Sequence, residues 1–117
     1  MRVAGLMSGT SLDGIDVAII DINDGDDWRL VAFHSIPLES TQRKQIHDMI
    51  VQGSAQNICR LHAEFGEWLA AALMAACDAT GTPLATIELI GSHGQTIWHE
   101  PPSGGRREAT STTWPAG

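Results

Sequence analysis

The stretch VAGLMSGTSLDGIDVAIIDI, residues 3–22, decides how the chain folds. Residues 3–7 form a short apolar run, and residues 15–22 are dominated by β-branched side chains with Asp16 and Asp21 near the ends. Both read as strands, because branched side chains suit a pleated surface. Between them residues 8–14 hold glycine, serine, threonine and aspartate, the residue types that accept tight turns. The stretch is strand, tight loop, strand.

Moving outward, Asn23-Asp24-Gly25-Asp26 is a second turn, and residues 28–36 alternate loosely. The pattern predicts an antiparallel three-strand meander. After Pro37, the spacing of Ile46, Met49 and Ile50 predicts a short helix over 41–52, closed by Gly53. Ser54 reads as the N-cap of a longer helix whose apolar stripe is Leu61, Phe65, Trp68, Leu69, Ala72 and Ala76, with Gly81 and Pro83 ending it. Residues 84–91 are apolar except for Thr86 and Glu88. They predict a strand buried on both faces, joined to the meander by a right-handed parallel crossover. From Pro101 to Gly105 the chain turns to proline, serine and glycine, and no regular element is expected beyond. The expected class is α/β: a meander, then helices, then a buried strand.

A chain of 117 residues can form one domain with a modest core and is too short for two lobes closing on a substrate. Its 43% hydrophobic and 18% charged residues argue against wholesale disorder. The net charge of -7, with basic residues scattered outside Arg43-Lys44 and Arg106-Arg107, argues against a nucleic-acid partner. The opening MRVAGLMSGTS lacks the basic and apolar regions of a secretory signal, and the longest apolar run, residues 68–77, is too short to cross a bilayer. A cytoplasmic protein with no membrane partner is expected. Cys59 and Cys77 form neither a zinc nor a redox motif and read as two small buried hydrophobes on a helix.

Two constellations could carry chemistry. In Met7-Ser8-Gly9-Thr10-Ser11-Leu12-Asp13-Gly14-Ile15-Asp16, Gly9 and Gly14 let backbone approach a ligand closely. Successive N–H groups and the hydroxyls of Ser8, Thr10 and Ser11 can donate to phosphate oxygens, while Asp13 and Asp16 could hold magnesium directly or through water. The loop is neither a Walker loop nor a dinucleotide fingerprint, and a simple hairpin remains the alternative. In Gly91-Ser92-His93-Gly94-Gln95-Thr96, hydroxyl, imidazole and amide groups gather after a strand, which suits a polyhydroxylated ligand. The alternative is that His93 and Gln95 satisfy backbone groups of their own loop. Trp98 reads as packing or as a sugar-stacking surface; His99 and Glu100 are spaced too loosely for a metal site with His93, and His34, His47 and His62 stay unassigned.

The first constellation resembles the opening signature of the anhydro-N-acetylmuramic acid kinases, and Gly91-Ser92-His93-Gly94-Gln95-Thr96-Ile97-Trp98-His99 is similar to a second signature of that family. The resemblance covers residues 1–110, the first part of a longer family protein. It implies a partial amino-terminal lobe of the actin, heat-shock-70 and sugar-kinase fold, a ribonuclease-H-like α/β unit. It implies an ATP- and magnesium-dependent kinase that opens the 1,6-anhydro ring of 1,6-anhydro-N-acetylmuramic acid with water. Phosphorylation of O6 then gives N-acetylmuramic acid 6-phosphate in cell-wall recycling.

On that resemblance Gly9, Thr10, Ser11, Leu12, Asp13, Gly14, Ile15 and Asp16 bind the ATP phosphates, Asp13 and Asp16 attend the magnesium, and Ser92, His93, Gln95 and Thr96 lie near the sugar. Leu6 stands where many relatives in the wider superfamily carry an acidic residue, which leaves Asp13 and Asp16 as the nearer metal candidates. The family's general base and adenosine-binding lobe lie further downstream, so no catalytic residue is assigned here, and these 117 residues alone are expected to be inactive. A non-catalytic phosphate- or sugar-binding fragment is the alternative. The full-length family implies a homodimer. Residues 111–117 read Ser-Thr-Thr-Trp-Pro-Ala-Gly, where the family pattern runs Leu-Gln-Leu-Gly and a proline. Dropping the first nucleotide of codon 111 permits Leu-Gln-Leu-Gly-Gln-Pro, which implies a one-nucleotide insertion there and an aberrant tail. Genomic reads with no downstream frame encoding the rest of a kinase would overturn that expectation.

Overall fold

The structure, a computed structural model, describes residues 1–9, 12–25, 27–100 and 110–114, with side chains through Gln95. Strands β1 (Arg2–Ser8), β2 (Gly14–Ile22), β3 (Trp28–Pro37) and β4 (Leu89–Ser92) form one mixed sheet in the order β3-β2-β1-β4. β1 and β2 pair antiparallel, with Arg2 opposite Asp21 and Ser8 opposite Ile15. β2 and β3 also pair antiparallel, from Gly14 opposite Pro37 to Ile22 opposite Trp28, with a register irregularity at Ile19 and Ile20. Pro37 fits because β3 is an edge strand, where a missing N–H costs no ladder bond.

Between β3 and β4 run helices α1 (Ser40–Gln52) and α2 (Ala55–Thr80). Glu39 and Gln42 form a reciprocal capping box at the start of α1, satisfying N–H groups that the first helical turn leaves free. Gly53 follows α1 in extended rather than left-handed backbone. A Cβ there would collide with the Met49 carbonyl, so glycine serves close approach rather than positive φ. Ser54 caps α2 by accepting from the Asn57 N–H at 3.2 Å, and Gly81 ends it at φ 70°.

Strand alternation places Ala4, Leu6, Ile15, Val17 and Ile19 on one face of the sheet, all nearly inaccessible to solvent. Against them α2 packs Leu61, Phe65, Leu69, Ala72, Leu73, Ala76 and Cys77, with Leu38, Ile46 and Met49 joining the same cluster. Trp68 is only half-buried and meets Phe65 edge-to-face, ring centroids 5.9 Å apart. Burying a side chain the size of Phe65 stabilises a fold by about 1.5–3 kcal/mol, which makes this stripe the main support of the sheet.

Three features depart from the sequence reading. The strand expected to be buried over 84–91 is instead a 3-10 turn at Leu84–Thr86 followed by β4, a sheet edge with every residue exposed. β4 does pair parallel to β1, Val3 opposite Leu89 and Leu6 opposite Ser92. Its outer edge has no partner among the described residues, so apolar content marks a strand that is covered on one edge only, and Leu89 and Ile90 are each 55% exposed. Cys59 is exposed while Cys77 is buried. The two lie about five helical turns apart on one azimuth, but the first turns of α2 precede its buried stripe, which begins at Leu61. Burial pushes the Cys77 thiol above its ordinary value.

The third departure is a separate two-strand ladder, β5 (Gln95–Glu100) with β6 (Thr110–Trp114), where no regular element was expected after residue 100. Its register runs from Gln95 opposite Trp114 to Glu100 opposite Thr110, with an irregularity between Thr96 and Trp98. The β-branched and aromatic content of Thr96, Ile97 and Trp98 was the available signal.

At the opposite end of the sheet from the β1–β2 turn, Arg2 grips Asp21 through two bonds of 2.9 and 3.2 Å, and Arg29 adds a third at 3.1 Å. The hydrogen bond from Arg2 holds the Asp21 carboxyl below the usual carboxylate range. Among the described residues no helix is long and apolar enough to cross a membrane.

Candidate functional site

Because β1 and β4 are parallel neighbours, their carboxyl ends coincide, and the turn after Ser8 lies beside the loop after Ser92. Ligand crevices in α/β sheets form at such ends. Antiparallel pairing through β2 brings the end of β3 to the same side, Gly14 opposite Pro37.

The first turn starts at Gly9, whose carbonyl accepts from the Leu12 N–H at 3.2 Å. Leu12 adopts left-handed backbone with φ 57°, a costly conformation for a side chain with a Cβ, while its side chain packs on the core. The Asp13 carbonyl accepts from Leu38 N–H at 3.2 Å, fastening the turn to the start of the helical segment. At Gly14 a Cβ would sit 2.5 Å from the Ile36 carbonyl oxygen, so only glycine lets β2 enter the sheet this close to β3. Ile15 points into the core, leaving only its backbone for a ligand. Asp16 is exposed and accepts a 2.6 Å bond from Ser35 Oγ. Thr10 and Ser11 lie outside the described residues.

In the second loop Ser92 Oγ accepts from the Gly94 N–H at 3.0 Å, and the His93 N–H donates to the Leu6 carbonyl at 3.0 Å, prolonging the parallel ladder. Ser92 and His93 are exposed. Gly94 takes left-handed backbone at φ 75°, and Gln95 after it is fully buried. Its Oε1 accepts from Ser8 Oγ at 2.6 Å and its Nε2 donates to the Gly9 carbonyl at 3.4 Å. The side chains of Thr96, Trp98, His99 and Glu100 lie outside the described ones.

These elements border two depressions. One, of about 380 Å³, is lined by Gly9, Asp13, Gly14, Asp16, Ser35, Ile36 and Pro37. The other is a shallower trough on the face of the sheet away from α2, where Gly5 and Gly91 stand side by side with open space at both missing Cβ positions. Asp16, Ser92 and His93 line this trough together, so Asp16 borders both depressions. The structure thus brings Asp13 and Asp16 into one recess, and Asp16 together with Ser92 and His93 in the other. Ser35 was missed by the sequence reading, since only the β2–β3 register puts it opposite Asp16.

A polar recess walled by a glycine-bearing turn and two carboxylates fits an anionic ligand accompanied by a divalent cation. Magnesium is commonly held by one or two carboxylates with the remaining positions left to water and phosphate. Among the described residues no group of three or more histidine, cysteine, aspartate or glutamate side chains could hold a metal unaided.

Fold and crevice together define an α/β protein with a ligand-sized recess at the carboxyl end of its sheet, and comparison with known proteins assigns its family. Residues 1–110 match the family model described as anhydro-N-acetylmuramic acid kinase, and the chain belongs to that family. An anhydro-N-acetylmuramic acid kinase of Bacillus cereus (strain B4264) is 42% identical over 110 residues, covering 90% of this chain and 28% of the relative. The corresponding protein of Bacillus cereus (strain Q1) is 39% identical over 116 residues, covering 95% and 30%. That of Bacillus anthracis (strain CDC 684 / NRRL 3495) is 38% identical over 112 residues, covering 92% and 29%. The chain therefore spans less than a third of the length of these curated relatives.

Proposed function

We propose that this chain forms the phosphate-binding side and part of the sugar-binding side of an anhydro-N-acetylmuramic acid kinase. Residues 1–110 would be a partial amino-terminal lobe of the actin, heat-shock-70 and sugar-kinase fold, with residues 111–117 a tail outside the family pattern. One observation supports this above others: the two loops that resemble family signatures meet at one end of the sheet through the Ser8–Gln95 bond, which spans 87 residues of sequence.

In this reading the turn from Gly9 to Asp16 holds ATP phosphates through backbone N–H groups, and Asp13 and Asp16 hold magnesium through water. The cation would neutralise charge on the transferred phosphoryl group. Ser92 and His93 border the trough next to Asp16, and the exposed His93 would orient sugar hydroxyls there. The whole family reaction is opening of the 1,6-anhydro ring by water and transfer of phosphate to O6, in cytoplasmic cell-wall recycling, by a homodimer. Its general base lies downstream of the matched region, so these residues bind and position but do not activate the attacking water.

A coupled assay of the 117-residue chain with ATP, magnesium and 1,6-anhydro-N-acetylmuramic acid, beside an active full-length relative, tests the reading. No turnover, with ATP binding that weakens about tenfold or more on changing Asp16→Asn, is expected. Turnover by this chain alone would overturn the assignment of catalysis to the region of the longer relatives downstream of the match, and absence of ATP binding would overturn the phosphate site.

A further inference from the structure

We infer that Gln95 is a positioning residue: from the second signature loop it fixes the peptide plane at which the phosphate turn begins. The inference deepens the proposed phosphate site and rests on that reading for its functional meaning, while its structural core stands independently. Gln95 and Ser8 are the buried polar side chains at the crevice end, 0% and 1% exposed. A buried amide or hydroxyl is retained where its bonds are made, because leaving one unsatisfied is costly.

What the pair holds is specific. Ser8 is the last residue of β1 and Gly9 the first of the turn. The Gly9 carbonyl receives two donors from different directions, the Leu12 N–H at 3.2 Å and Gln95 Nε2 at 3.4 Å. Fixing a carbonyl restrains the planar peptide unit to which it belongs, here the one that opens the turn. The left-handed backbone at Gly94, its N–H held by Ser92 Oγ, precedes Gln95, whose side chain bonds Ser8 and Gly9 at the turn and does not line the trough. His93 is left exposed beside the trough, so one loop borders the trough and braces the neighbouring turn from below. Ordering of either loop by a ligand then favours order in the other, which is a positive coupling between the phosphate and sugar sides.

Amide hydrogen exchange on the 117-residue chain tests this, with the variants Ser8→Ala, Gln95→Met and the double variant. Gln95→Met should speed exchange of the amides in residues 9–14 by about tenfold, roughly the worth of one hydrogen bond, with the amides of α2 unchanged. Ser8→Ala should affect the same amides less, and the double variant should be no worse than Gln95→Met alone. ATP titration should show weaker binding in the same order. Unchanged exchange in residues 9–14 in both single variants, or a rise of equal size across α2, would overturn the inference. If Gln95→Met does not fold, Ser8→Ala carries the test. If the local exchange pattern appears but the unaltered chain binds no ATP, the brace stands and the phosphate-site reading fails.

Discussion

The two faces of the four-stranded sheet are built from alternate residues of the same strands, yet they have opposite fates. On one, Ala4, Leu6, Ile15, Val17 and Ile19 vanish beneath α2. On the other, Met7, Leu30 and Phe33 are each more than half exposed, and Leu89 on the free-edged β4 shares that face, opposite Val3. The covered face is completed by a helix that the chain supplies between β3 and β4. The open face leaves Met7, Leu30 and Phe33 uncovered by the described residues, the kind of exposed apolar patch that suits a contact surface. Relatives more than three times as long supply ample chain for such a contact. The comparison teaches that a single intervening helix accounts for one face of this sheet and leaves the other open.

The largest effect should come from substituting equivalent rings on the two faces. Phe65→Ala, inside the covered face, should cost about 3–5 kcal/mol, a large part of the stability of a small domain, and abolish cooperative denaturant unfolding. Phe33→Ala, 56% exposed on the open face, should change the unfolding free energy by less than about 0.5 kcal/mol while lowering binding of a hydrophobic dye. Equal costs would break the contrast between the faces. Next in size is the cover itself: Ser54→Ala removes the bond to the Asn57 N–H and should cost about 1 kcal/mol, with exchange rising first in the opening turns of α2.

The smallest effect lies at the far rim, where Arg2 holds Asp21. Its carboxyl is lowered in the folded chain, so the contribution is fully present above the ordinary value of 3.8 and is lost as pH falls below it through the lowered native value. Asp21→Asn should therefore lower the midpoint of thermal unfolding slightly at pH 7 and flatten the acid limb of the stability curve. A variant with an unchanged acid limb would remove this pair from the account.

Much of the covered half was legible in the sequence, because it is written in local chemistry. The Ser54 cap, the Gly81 stop and the stripe from Leu61 to Ala76 are all readable from spacing within one helix. The open half was harder to read. Residues 84–91 are apolar enough for a central strand, and nothing in their composition reveals that the outer side of Leu89 and Ile90 has no strand partner among the described residues. The same limit applies to the site. The glycine positions announce a tight turn, but the opposition of Asp16 and Ser35 depends on register, and the inward turn of Gln95 depends on the backbone at Gly94. Resemblance identified the loops; only three-dimensional pairing separates groups that face the crevice from groups that brace it.

The place of β1 in the sheet also has a consequence during synthesis. On one side its partner β2 follows at once, but on the other side the Arg2 backbone is bonded to Glu88, 86 residues later. At 5 to 20 residues per second a ribosome needs roughly 4 to 17 s to deliver that second partner. For that interval the nascent sheet presents an open edge of unpaired N–H and C=O groups, and its earliest-made strand is among the last to be enclosed.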